Sequence, residues 1–402
     1  MADDAPGPVT APGVLFLVAV PGLEGALAAE AARAGFSSVR EVPGGVEVAG
    51  GLAEAVRANV TLRCAVRVLW RVAAFRAMHL AQLDKRARKV AWRDWLVPGV
   101  PVKVEAVCRA SKIYHHKAAA ERIAGALEAA GIPVAAEAAV AVKVRIEDDL
   151  CTVSLDTTGE ALHRRGHKTF VGKAPLRETM AAAFLWDMGF DGSQCVVDPM
   201  CGSGTIPLEA AEIAAGLVPG RSRGFAFEAM VGGAGDAGDA GLKPGLRRLG
   251  GGGSGGAGGS EGPCPSRSPE YLENKDEGAR FFGFDRDDGA IRGARGNAER
   301  AGVAGLCRFE RQAVSDLVPP EGVAPGIVLT NPPYGARIGD RKLLFGLYGA
   351  LGRVLAERFS GWQVGIVTSD RGLAQATGLS LEPVGPVDHS GTKVWLWRGR
   401  VG

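Results

Sequence analysis

Long apolar runs, paired cysteines and a strong charge of either sign are all missing from this chain. The run Val14–Val20 is too short for a bilayer and has no basic leader, so neither a membrane span nor a signal peptide is expected. A cytoplasmic protein is the expectation. The seven cysteines are odd in number and form no Cys-x-x-Cys pair, which argues against a disulfide framework and a zinc site. The six histidines (79, 115, 116, 163, 167 and 389) show no ligand spacing with acids or cysteines, and no metal is assigned. A net charge of +3 is too small to imply a polyanionic partner by itself.

What is present is length, periodicity and glycine. The 402 residues allow two or three domains, each able to bury a core. Residues 1–13 are small, acidic and proline-bearing, the composition of a disordered tail. Residues 14–76 alternate as strand, helix, strand, strand, helix, strand, which suggests a ferredoxin-like subdomain. The pattern restarts near Leu80, and residues 77–168 read as a second α+β module. A linking helix, Leu176 to Met188, then leads into a doubly wound, Rossmann-like α/β sheet over residues 169–402, closed by a C-terminal hairpin. Residues 231–268 are nearly all Gly, Ala, Ser, Pro and charge, a flexible insertion that cannot bury enough apolar surface to order itself.

Basic residues concentrate between Arg63 and Arg122. From Arg63 to Arg122 fourteen Lys or Arg face four Asp or Glu, a candidate phosphate-binding surface or simply a set of solvated helix faces. Lys112, His115, His116 and Lys117 are the stronger candidates, because they cluster near an expected helix start where backbone N–H groups also face anions. Arg164 and Arg165, with His167 and Lys168, form a second cluster before the α/β region.

Three short stretches carry chemistry. Asn331-Pro332-Pro333-Tyr334 follows the strand-like run from Gly326 to Thr330. An exocyclic amine of a nucleobase is a poor nucleophile, because its lone pair is delocalised into the ring. The Asn331 amide oxygen and the Pro332 carbonyl can together accept both amine hydrogens and turn the lone pair toward an electrophilic methyl. Tyr334 would stack on the base, while Pro333 shapes the turn. A proline-rich turn closing a strand is the plainer alternative. Upstream, Cys195 to Thr205 reads as strand, glycine turn and helix start. Asp198 at the strand tip suits a cationic amino group, and Pro199, Met200, Gly202, Gly204 and Thr205 line a turn whose backbone can approach a nucleotide-like ligand. The glycine spacing fits neither a dinucleotide fingerprint nor a P-loop. Between the two motifs the strand from Arg280 to Phe284 ends in Asp285, placed to take ribose hydroxyls or else to cap the next helix, with Arg286 available to lie over an adenine ring.

Taken together, the run from Asp198 to Thr205, Asp285 and Asn331 to Tyr334 resemble the S-adenosylmethionine and target-amine motifs of class I methyltransferases. More narrowly, Leu162-His163-Arg164-Arg165-Gly166, Ala174-Pro175-Leu176-Arg177-Glu178, Gly224-Phe225-Ala226-Phe227-Glu228 and Asn331-Pro332-Pro333-Tyr334-Gly335 resemble RNA guanine-N2 methyltransferases that carry an N-terminal THUMP domain. The resemblance runs from about Leu15 to Trp397, with the glycine-rich insertion outside it. It implies S-adenosylmethionine as methyl donor, structured ribosomal or transfer RNA as partner, and the module at 77–168 as the THUMP RNA-binding domain. Large-subunit ribosomal RNA is the first expectation. One departure stands out after the strand Cys307 to Arg311, where such enzymes place an Asp-Ala pair toward the adenine: Ala313-Val314 is the corresponding pair here, and Asp316 is the candidate substitute. A DNA adenine methyltransferase, a protein-glutamine methyltransferase and a non-catalytic RNA-binding factor remain as rival readings.

Overall fold

The computed structural model describes residues 13–172, 175–232, 278–335 and 341–402. The expected N-terminal tail, most of the glycine-rich insertion and Ala174 fall outside the described residues. The rest divides into two compact units, one holding 13–19, 28–162 and 220–232, the other 20–27, 163–219 and the described residues from 278 onward.

In chain order the N-terminal half runs β1 (Val14–Val18), α1 (Glu24–Arg33), β2 (Arg40–Val42), β3 (Gly45–Ala49), α2 (Leu52–Thr61), β4 (Arg67–Arg76), α3 (Leu80–Ala87), β5 (Val102–Arg109), α4 (His116–Ala129), β6 (Val140–Glu147) and β7 (Leu150–Asp156). All seven strands join one sheet in the order β2-β3-β1-β4-β7-β6-β5. Every pairing is antiparallel except β5 with β6. Alternation along β1, whose Leu15 and Leu17 are buried while their neighbours are half-buried, gives this sheet one core face and one wetter face. The boundary expected at residues 76 and 77 falls inside this sheet. Ladder partners from Leu69↔Asp156 to Arg76↔Leu150 bind β4 to β7, so the two expected N-terminal modules share one hydrogen-bonded layer.

The segment from Gly224 to Glu228 departs from expectation in the same way. It was assigned with the α/β region, yet Phe227 N donates to the Thr157 carbonyl at 3.0 Å and Met230 bridges Leu96, placing the segment in the N-terminal unit. Phe225 and Phe227 stack at 5.0 Å between centroids and are buried there, so the apolar side chains decide where the segment packs.

The second unit contains α5 (Glu178–Asp187), β8 (Val196–Asp198), α6 (Thr205–Ala214), β9 (Phe281–Asp285), α7 (Asp288–Ala301), β10 (Cys307–Arg311), β11 (Ile327–Thr330), α8 (Arg341–Arg358), β12 (Gln363–Thr368), α9 (Arg371–Ala376), β13 (Glu382–His389) and β14 (Thr392–Arg400). Its sheet order is β10-β9-β8-β11-β12-β14-β13. The first five strands are parallel, and β14 and β13 close the sheet as an antiparallel hairpin. Strands β8 and β11 are buried at every residue, as parallel strands covered on both faces must be. Strand order reverses between these two neighbours, and the crevice beyond their carboxyl ends is where an open α/β sheet takes ligands. Trp397, Val394 and Leu396 are buried in the final hairpin, the packing role expected of that apolar run.

Candidate active site

Strands β8 and β9 end on Asp198 and Asp285, and β11 ends one residue before Asn331. Asp198 closes β8, and both of its carboxylate oxygens lie below the surface. Its Oδ1 accepts from Thr330 Oγ1 at 2.7 Å and from Met200 N at 3.1 Å. Thr330 is the last residue of β11, so this bond ties the glycine-turn strand to the strand that presents Asn331. Burial, only partly offset by those two donors and reinforced by nearby Asp285, lifts the Asp198 carboxyl to about 7. A cation entering the cavity would restore its charged form.

The turn after β8 needs its glycines. Gly202 and Gly204 have φ of +52° and +81°, in the left-handed region that costs other residues energy. A Cβ at Gly204 would come within 3.1 Å of Phe309 and Ala294, whereas one at Gly202 would meet nothing within 4 Å. The first glycine lets α6 seat against the sheet; the second leaves open backbone facing the cavity. Gly202 N donates to Asp285 Oδ2 at 3.1 Å. Asp285 does not cap α7: Asp287 does, accepting from Gly289 N and Ala290 N, while Asp285 stands half-exposed beside the turn and its Oδ1 accepts from Asp287 N at 2.9 Å. Arg286 is exposed, and its carbonyl accepts from Arg311 Nε.

Asn331, Pro332, Pro333 and Tyr334 are held at several points. The Asn331 Oδ1 atom is buried, and no hydrogen bond to it is made among the described residues. Tyr348 of α8 donates its hydroxyl to the Pro333 carbonyl at 3.4 Å. Tyr334 is partly buried against the core cluster below the sheet, which pushes its hydroxyl up to about 12 and keeps it protonated. A cavity of about 90 Å³ joins the motifs, lined by Asp198, Met200, Cys201, Gly202, Ser203, Thr205 and Ile206 from the glycine turn, by Asn331, and by Gly172, Pro175 and Leu176 from the stretch before α5. Burial drives the Cys201 thiol far above its ordinary range, so it is no nucleophile.

Two further residues brace the site, Lys168 of the second basic cluster and Gln312, which no motif in the sequence marks. Lys168 Nζ reaches Thr205 Oγ1 at 2.6 Å and Glu178 Oε1 at 2.9 Å, fixing the first residue of α6 from outside the glycine turn. Gln312, beyond the tip of β10, donates its backbone N–H to the Asp285 carbonyl. Arg311 is the ladder partner of Asp285, so Gln312 is the first residue past the paired tips of β9 and β10. Asp316 lies farther on and is exposed, its Oδ1 accepting from Ser315 and its carbonyl from Gln312 Nε2. In the N-terminal unit Tyr114, between Lys112 and His115, is 80% exposed.

In that basic cluster Lys112, His115, His116 and Lys117 are all exposed. His115 caps α4, its Nδ1 accepting from Ala118 N at 3.1 Å, and its ring stacks on His116. The second cluster splits. Arg164 is exposed, but Arg165 is 1% exposed and its Nε meets Glu209 Oε1 of α6 at 2.9 Å. The surface role expected of Arg165 is therefore corrected to an interior one: an extended chain alternates its side chains, and the buried Glu209 claims the guanidinium. His167 points the same way, 3.3 Å from the buried Glu212. Glu209 and Glu212, three apart on one helix, share a face toward this segment. Among the described residues no group of acids, histidines or cysteines could hold a metal, and no helix is long and apolar enough to cross a membrane.

Residues 165–383 match the UPF0020 family, described as RMKL-like, methyltransferase domain, and residues 14–69 match an RlmL ferredoxin-like domain. Ribosomal RNA large subunit methyltransferase K/L of Syntrophotalea carbinolica is 35% identical over 386 residues, covering 92% of this chain and 51% of its own length. The chain thus spans about half the length of the K/L relatives it matches. A putative RNA methyltransferase of Synechocystis sp. is 28% identical and is matched over 94% of both chains. A solved Listeria monocytogenes structure, described as a predicted N6-adenine-specific DNA methylase, superposes with a TM-score of 0.78 at 26% identity, over 97% of this chain and 96% of the other.

Proposed function

Because this chain belongs to the UPF0020 family of RMKL-like methyltransferases, we propose that it methylates the exocyclic N2 amine of a guanine in large-subunit ribosomal RNA. The observation that carries this reading is the single cavity lined both by the Asp198–Thr205 turn and by Asn331. S-adenosylmethionine is the methyl donor, and the residues present suit it. Gly202 leaves backbone open where a side chain would stand, and Asp198 and Asp285 bring two carboxylates to the same turn. Asp198 would hold the donor's amino group and Asp285 its ribose hydroxyls, with Gln312 bonded through its backbone N–H to the Asp285 carbonyl beside them. When bound, the donor supplies an electrophilic methyl group on a sulfonium centre.

The chain's own residues do the remainder. Asn331 Oδ1 and the Pro332 carbonyl accept the two hydrogens of the target amine, which favours a pyramidal nitrogen with its lone pair toward the methyl. Tyr334, its hydroxyl kept protonated by burial, offers its ring to the flipped base. The amine proton leaves to solvent after transfer. No residue in the cavity has the character of a covalent nucleophile. Lys112, His115, His116, Lys117 and Arg164 are the candidate RNA contacts, gripping backbone away from the target nucleotide.

A second reading, methylation of an adenine amine in DNA, is favoured by the description of the Listeria structure, since the same acceptor pair would serve an adenine N6. Methyl incorporation into large-subunit ribosomal RNA, transfer RNA and duplex DNA separates them, with mass-spectrometric mapping of the product. N2-methylguanosine at one ribosomal position is the expected result. Incorporation into DNA alone would overturn the RNA assignment.

A further inference from the structure

The tip of the β13–β14 hairpin holds a histidine that the methyl-transfer reading does not use. His389 and Thr392 are ladder partners across a two-residue turn, whose residues Ser390 and Gly391 have φ of +56° and +83°. Two successive left-handed residues make the tight hairpin turn whose twist matches its strands, so His389 is presented from a rigid support. Its Nδ1 lies 2.9 Å from the Tyr334 hydroxyl and its Nε2 lies 3.2 Å from the Pro175 carbonyl. The Pro175 carbonyl can only accept, so Nε2 must carry the proton and donate. Nδ1 is then the acceptor for the Tyr334 O–H. Arg177 Nη2, within hydrogen-bond reach of Ser390 Oγ at 3.2 Å, fastens the same hairpin tip to the same stretch.

We propose that His389 is a positioning residue for methyl transfer, a neutral imidazole that locks the Tyr334 ring to the wall of the cavity formed by Pro175. The inference rests on the reading of Asn331 to Tyr334 as the target-amine motif. Pro175 lines the same cavity as Asn331, and Tyr334 follows Asn331 by three residues. A single ring bonded to both sets their separation, and with it the orientation in which a base can stack.

Charge around the ring is balanced. Arg177 disfavours the imidazolium and Asp388 favours it, while Lys393 stands opposite Asp388 in the ladder. Burial is the largest influence and holds His389 below its ordinary value. Neutral pH therefore keeps the acceptor form. Protonation puts a hydrogen on Nδ1, the Tyr334 hydroxyl can no longer donate there, and the lock loses its polarity only at a pH below the ordinary histidine range.

The test uses the full chain and reads the imidazole directly as well as the reaction. Nitrogen-15 NMR of His389 should show a proton on Nε2 and none on Nδ1 at pH 7.5, with Tyr334→Phe shifting the Nδ1 resonance. A proton on Nδ1 at that pH overturns the proposal, whatever the acceptor nucleic acid proves to be. In single-turnover methyl transfer at saturating acceptor and donor, His389→Ala should fall by about tenfold or more with little change in donor affinity. His389→Gln should restore most of that loss, because its amide can accept from Tyr334 and donate to Pro175, and it should lack the acid limb of the wild-type profile. Wild-type rates for His389→Ala across the pH range, or a Gln variant as slow as the Ala variant, overturn the proposal. If no nucleic acid is methylated by the wild-type protein, it is the functional reading that fails, and the tautomer measurement still decides the geometry.

Discussion

The two seven-stranded sheets solve different problems with the same number of strands. In the N-terminal sheet, β5 alternates between covered and exposed residues, leaving Val107 60% exposed. In the other, β8 and β11 are buried throughout. A one-sided, largely antiparallel sheet leaves helix starts and loops free to display Lys112, Tyr114 and Lys117 to solvent. A two-sided parallel sheet hides its faces and can expose chemistry only at its carboxyl ends, where Asp198, Asp285 and Asn331 emerge. The difference teaches that sheet type decides where side chains can meet a ligand, over loops and helix starts in the first sheet and at the carboxyl ends in the second; on the proposed function, that separates grip from catalysis.

That separation can be broken at its sharpest point first. Asn331→Ala removes an acceptor at the end of a fully buried strand, and the single-turnover methylation rate should fall by about two orders of magnitude or more, while donor and RNA affinities change far less. A near-normal rate would detach Asn331 from the chemistry. Asp285→Ala should weaken donor binding by about 1–3 kcal/mol, read by calorimetry, since a charge-assisted set of hydrogen bonds to ribose hydroxyls is lost. Unchanged affinity in a folded variant would remove Asp285 from the site.

Stability should distinguish the sheets as well. A Cβ at Gly283 of β9 would lie 2.5 Å from the Phe309 ring and 3.0 Å from Cys201 Sγ. Gly283→Ala should therefore cost about 1–3 kcal/mol in urea unfolding, because a close-packed interior has no room to yield. Val107→Ala on the exposed face of β5 should stay within about 0.5 kcal/mol. Similar losses at both positions would show that the wet face is packed after all. The smallest effect is expected from Lys112→Ala with Lys117→Ala, which should raise the RNA dissociation constant a few-fold and reduce its salt slope by about one to two, leaving donor affinity alone. An unchanged slope would mean that these lysines are merely solvated.

The reach of the sequence follows the same division. Strand tips were legible because buried parallel strands read as short apolar runs, and the residue after each run is forced to the ligand-facing edge. Asp198, Asp285 and Asn331 were found that way. The pairing of β4 with β7 was not, since ladder partners some eighty residues apart leave no local trace. Nor was the fate of Arg165, whose neighbour Arg164 is chemically identical and exposed; only the buried Glu209 on α6 distinguishes them. His389 was noticed only as a metal ligand that lacked companions, because its partners, a tyrosine hydroxyl and a proline carbonyl, carry no charge to signal them.

One more consequence comes from the path of the chain. Residues 163–219 belong to the catalytic unit, 220–232 return to the N-terminal unit, and the described chain from 278 is catalytic again. No single cut in the gene can therefore yield either half intact. A fragment beginning at 163 would carry Phe225 and Phe227 without the sheet that buries them and would lack residues 20–27, which belong to its own unit; a fragment ending at 162 would lack the buried pair that bonds back to Thr157. Domain dissection of this protein has to splice rather than truncate, and a catalytic fragment calls for excision of the 220–232 strap with residues 20–27 kept.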